Sequence, residues 1–123
     1  MDEPVVVPVA VEKPEAKKFL CMCQGGNVRS VSLAFILKYQ FKQDALACGW
    51  EGNTDETRKL LCDWADVVIL MQAEFAQYVP EEYKDKIRVV DVGPDNYGTP
   101  MHEGLLKFLF SVVSDWKARQ FRI

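Results

Sequence analysis

Cys23 and Arg29 bracket a loop of seven residues, and Ser30 follows at once. The surrounding stretch reads Phe19-Leu20-Cys21-Met22-Cys23-Gln24-Gly25-Gly26-Asn27-Val28-Arg29-Ser30. A thiolate, a guanidinium and glycines at this spacing suit displacement at phosphorus. The sulfur attacks, and backbone amides hold the non-bridging oxygens. A helix N-terminus supplies free N–H groups and partial positive charge, which attract anions and favour a cysteine's ionised form. Arg29 adds a planar fork able to grip two oxygens of one phosphate. Gly25 and Gly26 allow close backbone approach and positive φ. The Ser30 hydroxyl is placed to donate to the Cys23 sulfur. Residues Gln24 to Ser30 are therefore the expected phosphate-binding set, with Cys23 and Arg29 catalytic.

Such chemistry also needs a proton donor for the leaving oxygen and a base for water, and one carboxyl can serve both in turn. The segment Asp91-Val92-Gly93-Pro94-Asp95-Asn96-Tyr97-Gly98-Thr99-Pro100 offers two aspartates. Asp91, at a strand end, is also explained as a solvated or capping residue. Pro94 to Gly98 also reads as a plain turn.

These loops need a frame that brings them to one edge. Lys18–Met22 reads as a first strand and Ser30–Phe41 as a helix with Leu33, Ile36, Leu37 and Phe41 on one face. Asp44–Cys48 reads as a second strand. Asn53 or Thr54 can cap a second helix, with Leu60, Leu61 and Trp64 expected to face the core. The unbroken apolar run Val67-Val68-Ile69-Leu70 suits a strand buried on both faces, within Asp66–Met71. A short helix over Ala73–Tyr78, a strand over Ile87–Val92 and a long helix over His102–Phe121 complete the chain. Leu105, Leu109, Val112 and Trp116 fall in register on that last helix. The alternation predicts an α/β fold: a four-stranded parallel sheet with helices on both faces. Ligands of such sheets bind beyond the strands' carboxyl ends, where both loops fall.

Cys23-Gln24-Gly25-Gly26-Asn27-Val28-Arg29-Ser30 resembles the phosphate loop of the low-molecular-weight protein tyrosine phosphatases, which reads Cys-x-Gly-Asn-x-x-Arg-Ser and is usually followed by Pro. Cys23, Gly25, Arg29 and Ser30 match in place. Gly26 stands where that family has Asn, and Val31 where it has Pro. Glycine accepts the left-handed conformation the Asn adopts, but brings no bracing side chain. Asp95-Asn96-Tyr97-Gly98 resembles the family's Asp-Pro-aromatic-x-Gly segment, shorter by one residue and with Asn96 in place of Pro. The resemblance implies Asp95 as general acid, Asp91 being the alternative, with Tyr97 lining the cleft. Trp50 stands where the family places part of its specificity loop and becomes a candidate second wall, although such a tryptophan is more often core. The resemblance extends over about residues 18 to 120 and implies a phosphatase for phosphotyrosine or small aryl phosphates that needs no metal or cofactor. Two alternatives stand beside it. One is an arsenate reductase using Cys48 and Cys62 as further thiols. The other is a phosphate- or phosphotyrosine-binding module with weak turnover.

The remaining residues narrow these readings. At 123 residues with 49% hydrophobic content the chain is one domain with a substantial core. Residues 18–123 form it, and residues 1–17, broken by Pro4, Pro8 and Pro14, read as a flexible tail. Val5-Val6-Val7 could alternatively pair with a sheet edge. A net charge of −3 without a basic run argues against nucleic acid. Four cysteines, no secretory leader and no apolar segment of membrane length suggest a reduced, cytoplasmic protein without a membrane partner. The expected partner is a phosphorylated protein or a small aryl phosphate. Cys21 shares a strand face with Cys23 and is a candidate redox partner, or simply a small buried residue. The cysteine spacing is poor for zinc. The lone His102, at a helix start, reads as a surface residue.

Overall fold

The computed structural model describes residues 16–123. The sheet has four strands: β1 (Lys18–Cys23), β2 (Asp44–Gly49), β3 (Val67–Leu70) and β4 (Ile87–Val89). All pairs are parallel, in the order β2-β1-β3-β4. Helix α1 (Arg29–Phe35) joins β1 to β2, and α2 (Asp55–Trp64) joins β2 to β3. These crossovers run in opposite directions across the sheet. Right-handed connections therefore put α1 and α2 on opposite faces. After β4, α3 (Glu103–Ala118) returns to pack against α1. This is the fold class expected from the alternating pattern.

The two central strands are almost wholly buried, because helices or turns cover them on both sides. On one face Phe19 of β1 stacks against Trp116 of α3, with Phe121 edge-on. Leu105, Leu109 and Val113 complete the α3 contribution. Val112, expected in that row, is only half-buried, one position off the stripe.

Several elements differ in detail from the sequence expectation. The first helix leaves α geometry after Phe35 and ends as a π turn over Ile36–Gln40. Ala73–Tyr78 is a 3₁₀ segment, and a second one, Glu81–Lys86, follows Pro80. Strand β4 stops at Val89, yet Val90 and Val92 still donate to Leu70 and Met71 carbonyls. On α2, Leu60 is 71% exposed while Cys62 is wholly buried. The core-facing stripe thus runs through Cys62, with Leu61 and Trp64 half-buried beside it. Leu60 therefore faces solvent, not the core: an apolar residue type does not by itself fix the phase of a helix against the sheet. Thr54 is the cap of α2, accepting from Thr57 N–H at 3.2 Å. Asn53 instead donates to the Gly49 carbonyl at 2.6 Å.

Lys17 is tied to the sheet: its N–H donates to Gln43 Oε1 at 2.9 Å and its carbonyl accepts from Asp44 at 3.0 Å. The tail expected over residues 1–17, including Val5-Val6-Val7, otherwise lies outside the described residues. No described helix is long and apolar enough to cross a membrane.

Candidate active site

Strand β1 ends at Cys23, and the chain turns through Gln24–Val28 into α1. The turn is fastened to the neighbouring strand. Trp50 N–H donates to the Cys23 carbonyl at 3.1 Å and Glu51 N–H to the Gln24 carbonyl at 3.0 Å. Gly26 has φ +74°, and a Cβ there would lie 2.5 Å from the Gly49 nitrogen. A Cβ on Gly49 would lie 2.4 Å from the Gln24 carbonyl oxygen. The two glycines therefore let loop and β2 backbones touch directly. Where the resembled family has a bracing Asn, this chain packs backbone on backbone.

Cys23 sits at the bottom of the loop, 3% exposed. Gly26 N–H donates to its sulfur at 3.2 Å. Ser30 Oγ lies 3.1 Å from the sulfur and is itself fully buried. When Cys23 is a thiolate, the serine hydroxyl must be the donor. No side chain caps α1 at Val28, which leaves first-turn amides without intrahelical acceptors at the loop. Ser32 Oγ has one proton, shared between the Val28 carbonyl at 3.1 Å and the closer Pro100 carbonyl, which ties the two loops together.

Arg29 is 1% exposed. Its Nη1 donates to Gln72 Oε1 and, at 2.8 Å, to the Gly93 carbonyl. The guanidinium also lies 5.6 Å from the Phe75 ring centre. Its Nε is buried with no partner among the described residues. A buried guanidinium held only by neutral acceptors is costly unless an anion completes its surroundings. Gln72 was not singled out from the sequence. Its place just beyond β3, on the same sheet edge as Cys23, is the signal that marks it.

The segment after β4 brings Asp91 and Asp95 to this edge by different means. Asp91 is exposed, and its Oδ1 accepts from Gly93 N–H at 2.8 Å, which is the capping role its position allowed. Asp95 is exposed in the turn after Pro94, where Asn96 N–H donates to the Pro94 carbonyl at 2.8 Å. Tyr97 OH donates to the Val92 carbonyl, and its ring meets His102 edge-on at 5.1 Å. His102 is half-buried rather than a free surface residue. Its Nδ1 accepts from Leu105 N–H at 3.2 Å and caps α3.

Trp50, a candidate cleft wall, has one face covered by Tyr78, stacked at 3.9 Å with an interplanar angle of 3°. Arg58 lies 5.9 Å from the Tyr78 ring centre and donates to the Trp50 carbonyl at 2.9 Å. The indole is thus packed beside the loop, with less surface for a ligand than an unstacked ring.

Cys21 lies on the face of β1 that carries Cys23 and is fully buried, as are Cys48 and Cys62 or nearly so. Burial pushes the Cys21 thiol well above its ordinary value, with neighbouring Cys48 and Cys23 adding to the rise. Burial likewise pushes Cys48 up to about 12. Cys62 is also raised by burial, against the opposing pull of Lys86 and Arg58. Among the described residues no three His, Cys, Asp or Glu side chains are grouped as metal ligands would be.

No protein-family profile matches the chain, and no curated protein matches it. Solved structures do. Wzb of Vibrio vulnificus, in complex with benzylphosphonate, superposes with a TM-score of 0.65 at 15% identity, covering 85% of this chain and 99% of that one. The tyrosine phosphatase AmsI of Erwinia amylovora gives 0.66 at 14%, covering 89% and 97%. The YwlE arginine phosphatase of Geobacillus stearothermophilus gives 0.63 at 18%, covering 85% and 95%. At these identities the likeness is one of fold. The chain has the low-molecular-weight tyrosine phosphatase fold, as its loop motif implied.

Proposed function

We propose that this protein is a phosphomonoester hydrolase acting through a cysteinyl-phosphate, with phosphotyrosine or a small aryl phosphate as substrate. The observation that carries the reading is the buried pair in one loop. Cys23 receives hydrogen-bond donors on its sulfur, and Arg29 is a wholly buried cation with only neutral partners among the described residues. A phosphate dianion over the sulfur supplies the missing anion. The fold shared with tyrosine and arginine phosphatases supports the same conclusion.

In this reading the loop amides and Arg29 hold three oxygens of the phosphoryl group. The Cys23 thiolate attacks in line, forming an S–P bond as the P–O bond to the phenol breaks. Asp95 gives its proton to the departing oxygen. The Asp95 carboxylate then takes a proton from water, which attacks phosphorus, releases inorganic phosphate and regenerates the thiolate. Tyr97 and the part of Trp50 left exposed beside Tyr78 flank the aryl ring. The reductase alternative needs a ready second thiol. The high Cys48 value and the burial of Cys62 favour hydrolysis instead.

The test is hydrolysis of p-nitrophenyl phosphate at about pH 5 to 7 without added metal. A phosphotyrosine peptide and phosphoarginine run alongside, since arginine phosphatase activity occurs on this fold. Turnover of the aryl ester that vanishes in Cys23→Ser is the expected result. Arsenate reduction without hydrolysis points to the reductase. Inert wild type that is stabilised by phosphate is a binding module.

A further inference from the structure

Arg29 presents its charge to the loop only if the guanidinium is turned the right way. Its planar group has two usable edges. Nη1 is fully engaged by two acceptors, the Gln72 side chain and the Gly93 carbonyl. The opposite edge, headed by the buried Nε with no partner among the described residues, is left for the anion. We infer that Gln72 is a positioning residue. It fixes the Arg29 guanidinium edge-on to the bound phosphoryl group, and its neutrality keeps the full positive charge available there. This inference rests on the phosphate-binding reading of the loop.

The orientation of the Gln72 amide is chemically determined. Its Nε2 donates to Glu74 Oε2 at 3.3 Å, so its Oε1 must face the guanidinium, which can only donate. Glu74 thus acts at one remove, with the amide between carboxylate and cation. A carboxylate directly on Nη1 would hold the arginine equally well. It would also neutralise part of the charge and repel a phosphate dianion a few ångströms beyond. A glutamine supplies the same acceptor geometry without that penalty. The Gly93 carbonyl makes the same neutral contact from the acid-bearing segment, so both braces of Arg29 are uncharged.

The experiment measures inorganic phosphate affinity of the full chain by titration calorimetry, with kcat and KM for p-nitrophenyl phosphate and the melting temperature in parallel. Wild type is compared with Gln72→Met and Gln72→Glu. Methionine keeps the side chain's length and packing but removes the acceptor. Glutamate keeps the acceptor and adds charge. Gln72→Met is expected to weaken phosphate about tenfold, the scale of one charge-assisted hydrogen bond, and to melt below wild type because a buried guanidinium N–H loses its acceptor. Gln72→Glu is expected to weaken phosphate at least as much while melting at or above wild type, because it pairs with Arg29. That opposition between affinity and stability is what a merely structural glutamine does not produce. Phosphate affinity unchanged in both variants overturns the positioning role, as does Gln72→Glu binding phosphate like wild type. Wild type that fails to bind phosphate sinks the phosphate reading itself, and the two failures are therefore told apart.

Discussion

The loop after β1 and the segment after β4 meet at one sheet edge, yet they are built in opposite ways. The first is sealed. Its backbone continues the β1–β2 hydrogen bonds, Gly26 touches Gly49, and Cys23, Arg29 and Ser30 are all buried. The second is open. Asp91, Pro94, Asp95 and Asn96 are exposed, and the segment is attached at a few points: Val92 to Met71, Gly93 to Arg29, Pro100 to Ser32. The contrast follows from the two tasks. Stabilising charge on a phosphoryl group needs fixed dipoles and excluded water, whose value depends on not reorganising. Delivering a proton needs a carboxyl within reach, and reach tolerates an exposed, lightly held turn.

Substitutions at each loop sharpen this comparison. Cys23→Ser should lower turnover by more than about a thousandfold while keeping phosphate affinity, since the nucleophile goes and the cradle stays. Residual turnover near wild type would place the chemistry elsewhere. Gly49→Ala should destabilise the protein by about 3 kcal/mol and weaken phosphate binding, because its Cβ lands 2.4 Å from the Gln24 carbonyl oxygen. Urea unfolding of that variant at wild-type stability would show that the loop is not sealed against β2. Asp95→Asn should slow kcat about a hundredfold and leave phosphate affinity and stability alone. If kcat is near wild type in Asp95→Asn but falls about a hundredfold in Asp91→Asn, the acid has been assigned to the wrong aspartate. Tyr97→Phe should be mildest, costing about 1 kcal/mol for the bond to Val92, with KM shifting more than kcat.

The sealed loop was the more legible of the two. Cys23, the glycines, Arg29 and Ser30 lie within eight consecutive positions, so their spacing alone brings them to one anion-sized turn. Gly26 carried half its meaning there. Its φ of +74° was readable as a glycine preference, but its contact with Gly49 joins residues from two strands. The open segment showed its residue types and left their duties divided between Asp91 and Asp95. A capping carboxylate and an unengaged one look the same in sequence. Leu60 and Cys62 show a third case: helix periodicity was evident, but which side met the sheet was settled by packing.

By itself, then, the sequence determined the alternation of strands and helices, the parallel sheet, and the residues of the sulfur-and-arginine loop. All of these arise from local periodicity or contiguous spacing. Tertiary structure decided what surrounds Arg29. Gln72 lies forty-three positions away and Gly93 sixty-four, on the ends of two other strands. Only the β2-β1-β3-β4 order places those strand ends around one guanidinium, because side chains distant in sequence meet where the sheet's carboxyl edge gathers them.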